Sequence, residues 1–145
     1  MPQKLLLAHV LICEHVLNEK DDVCSAIRLV DLFTLGKLQP LIPLEEQGVQ
    51  ISVLVQVKSQ VGDNDEHRLR LDLVRPNGES KTLIEHPPII ITSRAPGTPG
   101  GANIVLNVGV VASQMGVHYI TLIADGHEVV RAPFTLQQGE QAATD

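Results

Sequence analysis

Aromatic residues are nearly missing from this chain of 145 residues, which has two Phe, one Tyr and no Trp. Proteins that bind single-stranded nucleic acid without sequence preference stack the bases on aromatic side chains, so this class is disfavoured. Hydrophobic residues nevertheless make up 43% of the chain. We therefore expect a core of Val, Ile and Leu, large enough for one domain without disulfide or metal crosslinks.

Positive charge is also scarce. The chain has 11 Lys and Arg against 17 Asp and Glu, so its formal net charge is −6. Its one basic stretch, Arg68, Arg70 and Arg75, is short and is interrupted by Asp72. Proteins that bind duplex nucleic acid need clustered cations to displace counterions, so we expect no nucleic-acid partner.

Long hydrophobic runs are absent too. Lys4 followed by LLLAHVLIC imitates a signal peptide, but His9 interrupts the run and no small-x-small cleavage site precedes Cys13. The run is also too short to span a bilayer. We expect a cytoplasmic protein with no membrane partner, in which Cys13 and Cys24 stay reduced and buried.

Short runs in which apolar and polar residues alternate recur along the chain, most clearly over residues 51–58, 68–73 and 104–110. This period of two predicts half-buried antiparallel strands. Residues 5–16 are mostly apolar at both odd-numbered and even-numbered positions, which predicts a central strand covered on both faces. We predict an all-β fold, an antiparallel Greek-key β-sandwich of about eight strands, immunoglobulin-like or C2-like, with a closed barrel as the alternative. Residues 1–137 would form this single domain and residues 138–145 a flexible polar tail.

Asp125-Gly126 divides two apolar runs and predicts a hairpin with a type I′ turn. With this two-residue loop, Tyr119 would lie opposite Ala132, and Ile120 and Leu122 would need a cover of their own. The Gly-x-x-Tyr step before the turn resembles the tyrosine corner of immunoglobulin-like sandwiches. We therefore expect a buried Tyr119 whose hydroxyl binds nearby backbone.

Three segments are spread in order along most of the chain, between residues 5 and 136: LLLAHVLICEHVLNEKDDVCSAIRLVDLF, HRLRLDLVRPNGE and GVHYITLIADGHEVVRAPFTL. They resemble a bacterial family of small β-sandwich proteins catalogued only as a domain of unknown function. The shared motifs are turns and core positions. The resemblance therefore implies a sandwich fold and assigns no catalytic residue.

A soft-metal site is one candidate for chemistry. Cys13 and His15 share one side of the first strand, and pairing of Val16 with Val23 would bring Cys24 opposite His15. Thiolates and imidazole are ligands that suit zinc, but the set lacks a fourth member. The alternative is that both cysteines are small buried hydrophobic residues.

An acidic loop end is the other candidate. Asp21 and Asp22, Asp63 and Asp65, and Asp125 lie in three predicted turns. If the strands alternate in direction, the three turns reach one end of the sandwich, which is how C2-like domains hold calcium. Turn formation explains the same residues without a metal. Metal binding stays open at both places, and we assign no catalytic, cofactor-binding or metal-binding residue and no cofactor.

No acid, base and nucleophile converge in the sequence. We therefore predict a non-enzymatic interaction or scaffolding module of unknown process, whose partner is a protein, a second copy of the chain included. The alternative is a small metal-binding enzyme or sensor that uses calcium or zinc.

Overall fold

A computed structural model describes residues 5–18, 24–29, 31–35, 48–93, 95–111 and 114–138. These residues form eleven β-strands and no helix, so the all-β prediction is confirmed, and none of them could cross a membrane as a long apolar helix. The strands exceed the expected eight because three of them have only two to four residues. They are β1 (Leu5–Asn18), β2 (Cys24–Leu29), β3 (Leu32–Leu35), β4 (Gly48–Ser59), β5 (Glu66–His67), β6 (Leu69–Val74), β7 (Ser80–Glu85), β8 (Ile89–Ile90), β9 (Gly101–Val111), β10 (Gly116–Ala124) and β11 (His127–Gln138).

The described strands form three sheets, with the orders β2-β1-β4-β9, β3-β11-β10-β6-β7 and β5-β8. All neighbouring strands are antiparallel except β3 and β11, which are parallel. β3 follows β2 of the four-stranded sheet, so no hairpin joins it to β11. As predicted, β1 is a central strand. It buries Val10 and Ile12 on one face and Cys13 on the other.

The two larger sheets share one hydrophobic core. It contains the predicted aliphatic residues, with alternate positions of β4 on one side and of β6 and β10 on the other. Phe134 is the largest side chain that is fully buried, and the ring of Phe33 meets it edge-on at 5.8 Å between centroids. The buried members are Val10, Ile12, Ile51, Val53, Val55, Val57, Leu69, Leu71, Leu73, Ile91, Val108, Val110, Ile120, Leu122, Ala124, Phe134 and Leu136.

The hairpin of β10 and β11 turns at Asp125 and Gly126, as predicted. Their φ angles, 52° and 84°, are both positive, which is the type I′ requirement. The register then shifts by one residue between Leu122 and Ile123, where β11 carries an extra residue, a β-bulge. Tyr119 consequently lies opposite Pro133 and not opposite Ala132.

This bulge decides which face of β10 enters the core, because a slip of one residue exchanges the two faces of a strand. His118, Ile120 and Leu122 are fully buried, and Ile120 and Leu122 belong to the core that the two larger sheets share. Tyr119 is half-exposed, and the guanidinium of Arg131 lies over its ring at 5.1 Å. The predictions of a buried Tyr119 and of a separate cover for Ile120 and Leu122 are therefore wrong.

Candidate functional site

The direction of β4 determines which acidic turns meet. β1 and β4 are antiparallel with Leu5 opposite Ser59, so the turn after β4 lies where β1 begins. Asp21 and Asp22 lie outside the described residues, but the strand ends around them, Asn18 and Cys24, pair at the other end of the sheet. Asn18 and Cys24 therefore lie at the opposite end of the four-stranded sheet from the turn after β4. Two strands, β2 and β3, lie between β1 and β4 in the chain, and strict alternation of strand direction then makes β4 run opposite to β1.

The other two acidic turns do meet, at a histidine that was not singled out from the sequence. His67 has only 4% of its side chain exposed. Its Nε2 lies 2.6 Å from Oδ2 of Asp63, and its Nδ1 lies 2.7 Å from Oδ2 of Asp125. We call these three residues the Asp–His–Asp cluster. The one sequence signal for His67 is its place four residues after Asp63, and in a turn this spacing does not dictate a contact.

Local backbone geometry aims both carboxylates at His67. Asp63 closes a turn in which its amide donates to the carbonyl of Gln60, and its Oδ1 accepts the amide of Asp65 at 3.0 Å. Asp125 exchanges contacts with Arg68: its Oδ1 accepts the Arg68 amide and its own amide donates to the Arg68 carbonyl, both at 2.9 Å. Each carboxylate therefore uses one oxygen for the backbone and the other for the imidazole.

The two adjacent carboxylates favour a doubly protonated His67. A neutral imidazole has a single N–H, so it could not donate to both carboxylates. Burial lowers the pKa of His67, but the hydrogen bonds to Asp125 and Asp63 and their negative charges outweigh burial, and the pKa is raised. The side chain of Asp63 is 1% exposed and that of Asp125 is 37% exposed, so solvent screens mainly the contact with Asp125.

This protonation state limits what the cluster can do chemically. An imidazolium has no free lone pair, so in this state His67 neither accepts a proton as a general base nor binds a metal. It occupies the position that a cation between Asp63 and Asp125 would take. Within the described ranges, no three His, Cys, Asp or Glu side chains are grouped as metal ligands would be. Through its hydrogen bonds, the cluster connects the turn after β4 to the turn after β10.

Two grooves flank the cluster. One, of about 370 Å³, lies between residues 59–64 and residues 93 and 95–100, and Asp63 forms part of its wall. The other, of about 440 Å³, is lined by Arg68 and Gly126, the chain neighbours of His67 and Asp125, and by residues 86–88. We call the turns at residues 60–65 and 125–126, with their two grooves, the loop end.

The residues of the candidate soft-metal site are not brought together. Cys24 pairs with Asn18, which lies three residues, or about 10 Å, beyond His15 along β1. Neither Cys13 nor Cys24 forms a disulfide. Cys13 is fully buried, its Sγ donates to the carbonyl of Ser52 at 3.5 Å, and burial raises its pKa. Cys24 is only half-buried, so the expected burial holds for Cys13 alone.

Comparisons with known proteins identify no family for this chain. No protein-family model matches it, and no curated protein sequence is significantly similar to it. Among solved structures, it is similar to the alkylpurine DNA glycosylase AlkC of Pseudomonas fluorescens, bound to DNA containing an abasic site analog. The TM-score is 0.47 at 12% identity, over 74% of this chain and 27% of that one. A likeness of this size carries no argument about function.

Proposed function

We propose that this protein is a non-enzymatic protein-interaction module that binds a protein partner through the loop end. The observation that carries the proposal is the Asp–His–Asp cluster, which fastens one wall of each groove with charge-assisted hydrogen bonds. Binding to walls that are already ordered avoids the loss of conformational entropy that mobile loops would suffer. A rigid loop surface of this kind suits recognition of a folded partner or of its peptide.

The hydrogen bonds within the loop end support a function without catalysis. Both nitrogens of His67 are occupied, so no base is free to activate a nucleophile. The hydroxyls in the wall of the first groove are engaged in local contacts. Ser59 donates to the carbonyl of Ile91, and Ser93 and Thr98 are hydrogen-bonded to each other at 2.7 Å.

We also infer that the fold is a Greek-key sandwich of the immunoglobulin-like or C2-like type, in line with the bacterial family that the sequence resembles. The order of strands supports this inference, because the chain crosses between the two larger sheets after β2, β3, β4, β7 and β9, while β6–β7 and β10–β11 are hairpins within one sheet. Cys13 and Cys24 are not joined in a disulfide, which supports a cytoplasmic location.

Site-specific photocrosslinking in the native cell tests the proposed function. A photoreactive residue replaces Val61, 56% exposed in the first groove, or Arg68 in the second. The matched control replaces Lys81, an exposed residue of β7 that lines neither groove. We expect one protein to be captured from the two loop-end positions and not from Lys81. Capture of the same proteins from all three positions, or of none at the loop end, would contradict the proposal.

A calcium-binding sensor is the second candidate, favoured by the convergence of Asp63 and Asp125. A calcium ion between them would have to displace the His67 imidazolium, so we expect added calcium to leave the melting temperature unchanged. Calcium at 100 times its dissociation constant would add about 2.7 kcal/mol of stability. A shift of this size that is abolished by Asp63→Asn would replace the interaction module with a calcium sensor.

A further inference from the structure

β9 is an edge strand without the usual protection. Among the described strands it forms one edge of the four-stranded sheet, next to β4. Its 11 residues, GANIVLNVGVV, include no charged residue and no proline. They pair with β4 in one unbroken register from Gly101 to Val111, without a bulge. Natural sheets block their edges with charges, proline, bulges or short strands, and β9 has none of these.

The other edges of the two larger sheets are protected. β2 has six residues and contains Arg28, and β3 has four residues. β7 has six residues, contains Lys81 and Glu85, and shifts register against β6. Among the four described edge strands of these sheets, β9 is therefore the least protected against addition of another strand.

The core-facing side chains of β9 are incompletely covered at its middle. Val108 and Val110 are 7% and 1% exposed, whereas Ile104 and Leu106 on the same face are only half-buried. Ile104 and Leu106 line a narrow apolar cleft together with Ile84 of the facing sheet. A strand added along β9 would extend the core over this cleft.

We propose that this strand comes from a second copy of the chain: two β9 strands pair antiparallel about a twofold axis at Leu106, so that two four-stranded sheets become one sheet of eight strands. In this register residues 103–109 of β9 find a partner, with Ile104 opposite Val108 and Leu106 opposite its own symmetry mate. No like charges meet, although each chain has a net charge of −6. A charged partner strand would find no complementary charge along β9, which favours a second β9.

The backbone of β9 offers the groups that this pairing needs. The amide of Ser59 donates to the carbonyl of Gly100 at 3.0 Å, so Gly100 directs its backbone groups toward β4. Hydrogen-bonding direction alternates along an antiparallel strand, so the odd-numbered residues face the open edge. At the start of β9, the amide of Gly101 donates to the carbonyl of Thr92 at 3.4 Å. From residue 103 onward, no described residue outside the β4 ladder bonds this backbone.

The proposed register joins outward-facing residues to each other. Asn103 meets Gly109 and Val105 meets Asn107, each twice by symmetry, and all are odd-numbered. Leu106, which faces β4, meets its mate as a pair without hydrogen bonds between them. The same parity also brings the core faces of both subunits to one side of the joined sheet, as an isologous interface requires. None of these residues belongs to the loop end, so the β9 dimer is independent of the proposed binding there.

Sedimentation velocity over a wide concentration range tests the proposal with the full chain. We expect a dimer, and we expect Val105→Lys to raise its dissociation constant by about tenfold or more, because the two ammonium groups would lie diagonally across the axis. Val105→Thr has nearly the same shape without charge and should leave the dimer intact. His9→Lys adds a positive charge at an exposed position of the interior strand β1 and should also leave it intact.

A disulfide at the axis tests the register. In a Cys24→Ser background, oxidised Leu106→Cys should form a covalent dimer, because Cα atoms of such a pair lie about 4.5 Å apart, within disulfide range. Ile104→Cys is the control and should not crosslink, since it faces Val108. A monomer at every concentration would overturn the proposal. So would a dimer that is insensitive to Val105→Lys, or one that Ile104→Cys crosslinks as well as Leu106→Cys.

Discussion

Replacing His67 by Gln removes the cation between Asp63 and Asp125 and leaves the Asp63 carboxylate without a charged partner. Removing one member of a buried ion pair costs about 3–5 kcal/mol. This range applies to the contact with Asp63, whose side chain is 1% exposed. The contact with Asp125, 37% exposed, contributes about 0–1 kcal/mol. We therefore expect His67→Gln to lower the free energy of unfolding by about 3–5 kcal/mol, and Asp125→Asn to lower it by about 1 kcal/mol or less.

The effect of His67→Gln should depend on pH in a direction that the structure determines. Because the pKa of folded His67 is raised above its ordinary value of 6.5, the protonated ring stabilises the folded state fully below pH 6.5. This contribution holds while both carboxylates stay ionised, and it is lost as the pH rises through the raised pKa. The difference between wild type and variant should therefore be largest below pH 6.5 and should shrink at higher pH.

Urea unfolding followed by circular dichroism, once below pH 6.5 and once well above it, measures this difference. The double variant Asp63→Asn with His67→Gln is the control. It removes both charges, so its cost should be smaller than the sum of the two single costs. A His67→Gln protein as stable as wild type below pH 6.5, or a difference that grows with pH, would refute the reasoning.

Three further predictions concern the core, the thiols and the hairpin. Burial lowers the pKa of His118, which stacks on Phe134, so protonation of the unfolded chain should destabilise the wild type as the pH falls below 6.5. In melting curves recorded against pH, His118→Leu should remove this part of the acid sensitivity, and an unchanged pH profile would contradict it. Cys13 should react slowly and Cys24 faster with a thiol reagent in native buffer; rapid labelling of folded Cys13 would be inconsistent with its burial. Gly126→Ala should cost about 1–2 kcal/mol in urea unfolding, because φ is 84° there and a Cβ strains that conformation, so a neutral effect would argue against the type I′ turn.

Local features of the fold could be predicted from the sequence. The alternation in β4, β6 and β9 and the Asp125-Gly126 turn depend on neighbouring residues only, and all of them are present. The bulge in β11 could not be predicted, because the Asp125-Gly126 turn sets the register only as far as the extra residue in β11. Because the predicted register lacked this bulge, it exchanged the two faces of β10 and placed Tyr119 in the wrong environment.

The candidate site could be predicted in part. Asp63 and Asp125 were among the acidic residues selected, because aspartate favours turns and these turns do meet. His67 was missed because its surroundings come from tertiary structure: Asp125 lies 58 positions away in the chain. Cys13 and Cys24 were placed too close together because the register of β1 and β2 depends on the length of their connection, which apolar patterning does not reveal.

The charge state of His67 tests most directly whether the cluster fastens the loop end or leaves a base available for chemistry. Long-range ¹H–¹⁵N NMR of the imidazole, recorded as the pH is raised from below 6.5, reports both ring nitrogens separately. We predict that both carry protons beyond pH 6.5, with a single transition to the neutral ring at higher pH. A ring that is already neutral at pH 6.5, with one nitrogen unprotonated, would contradict the account and return His67 to the candidates for a general base or a metal ligand.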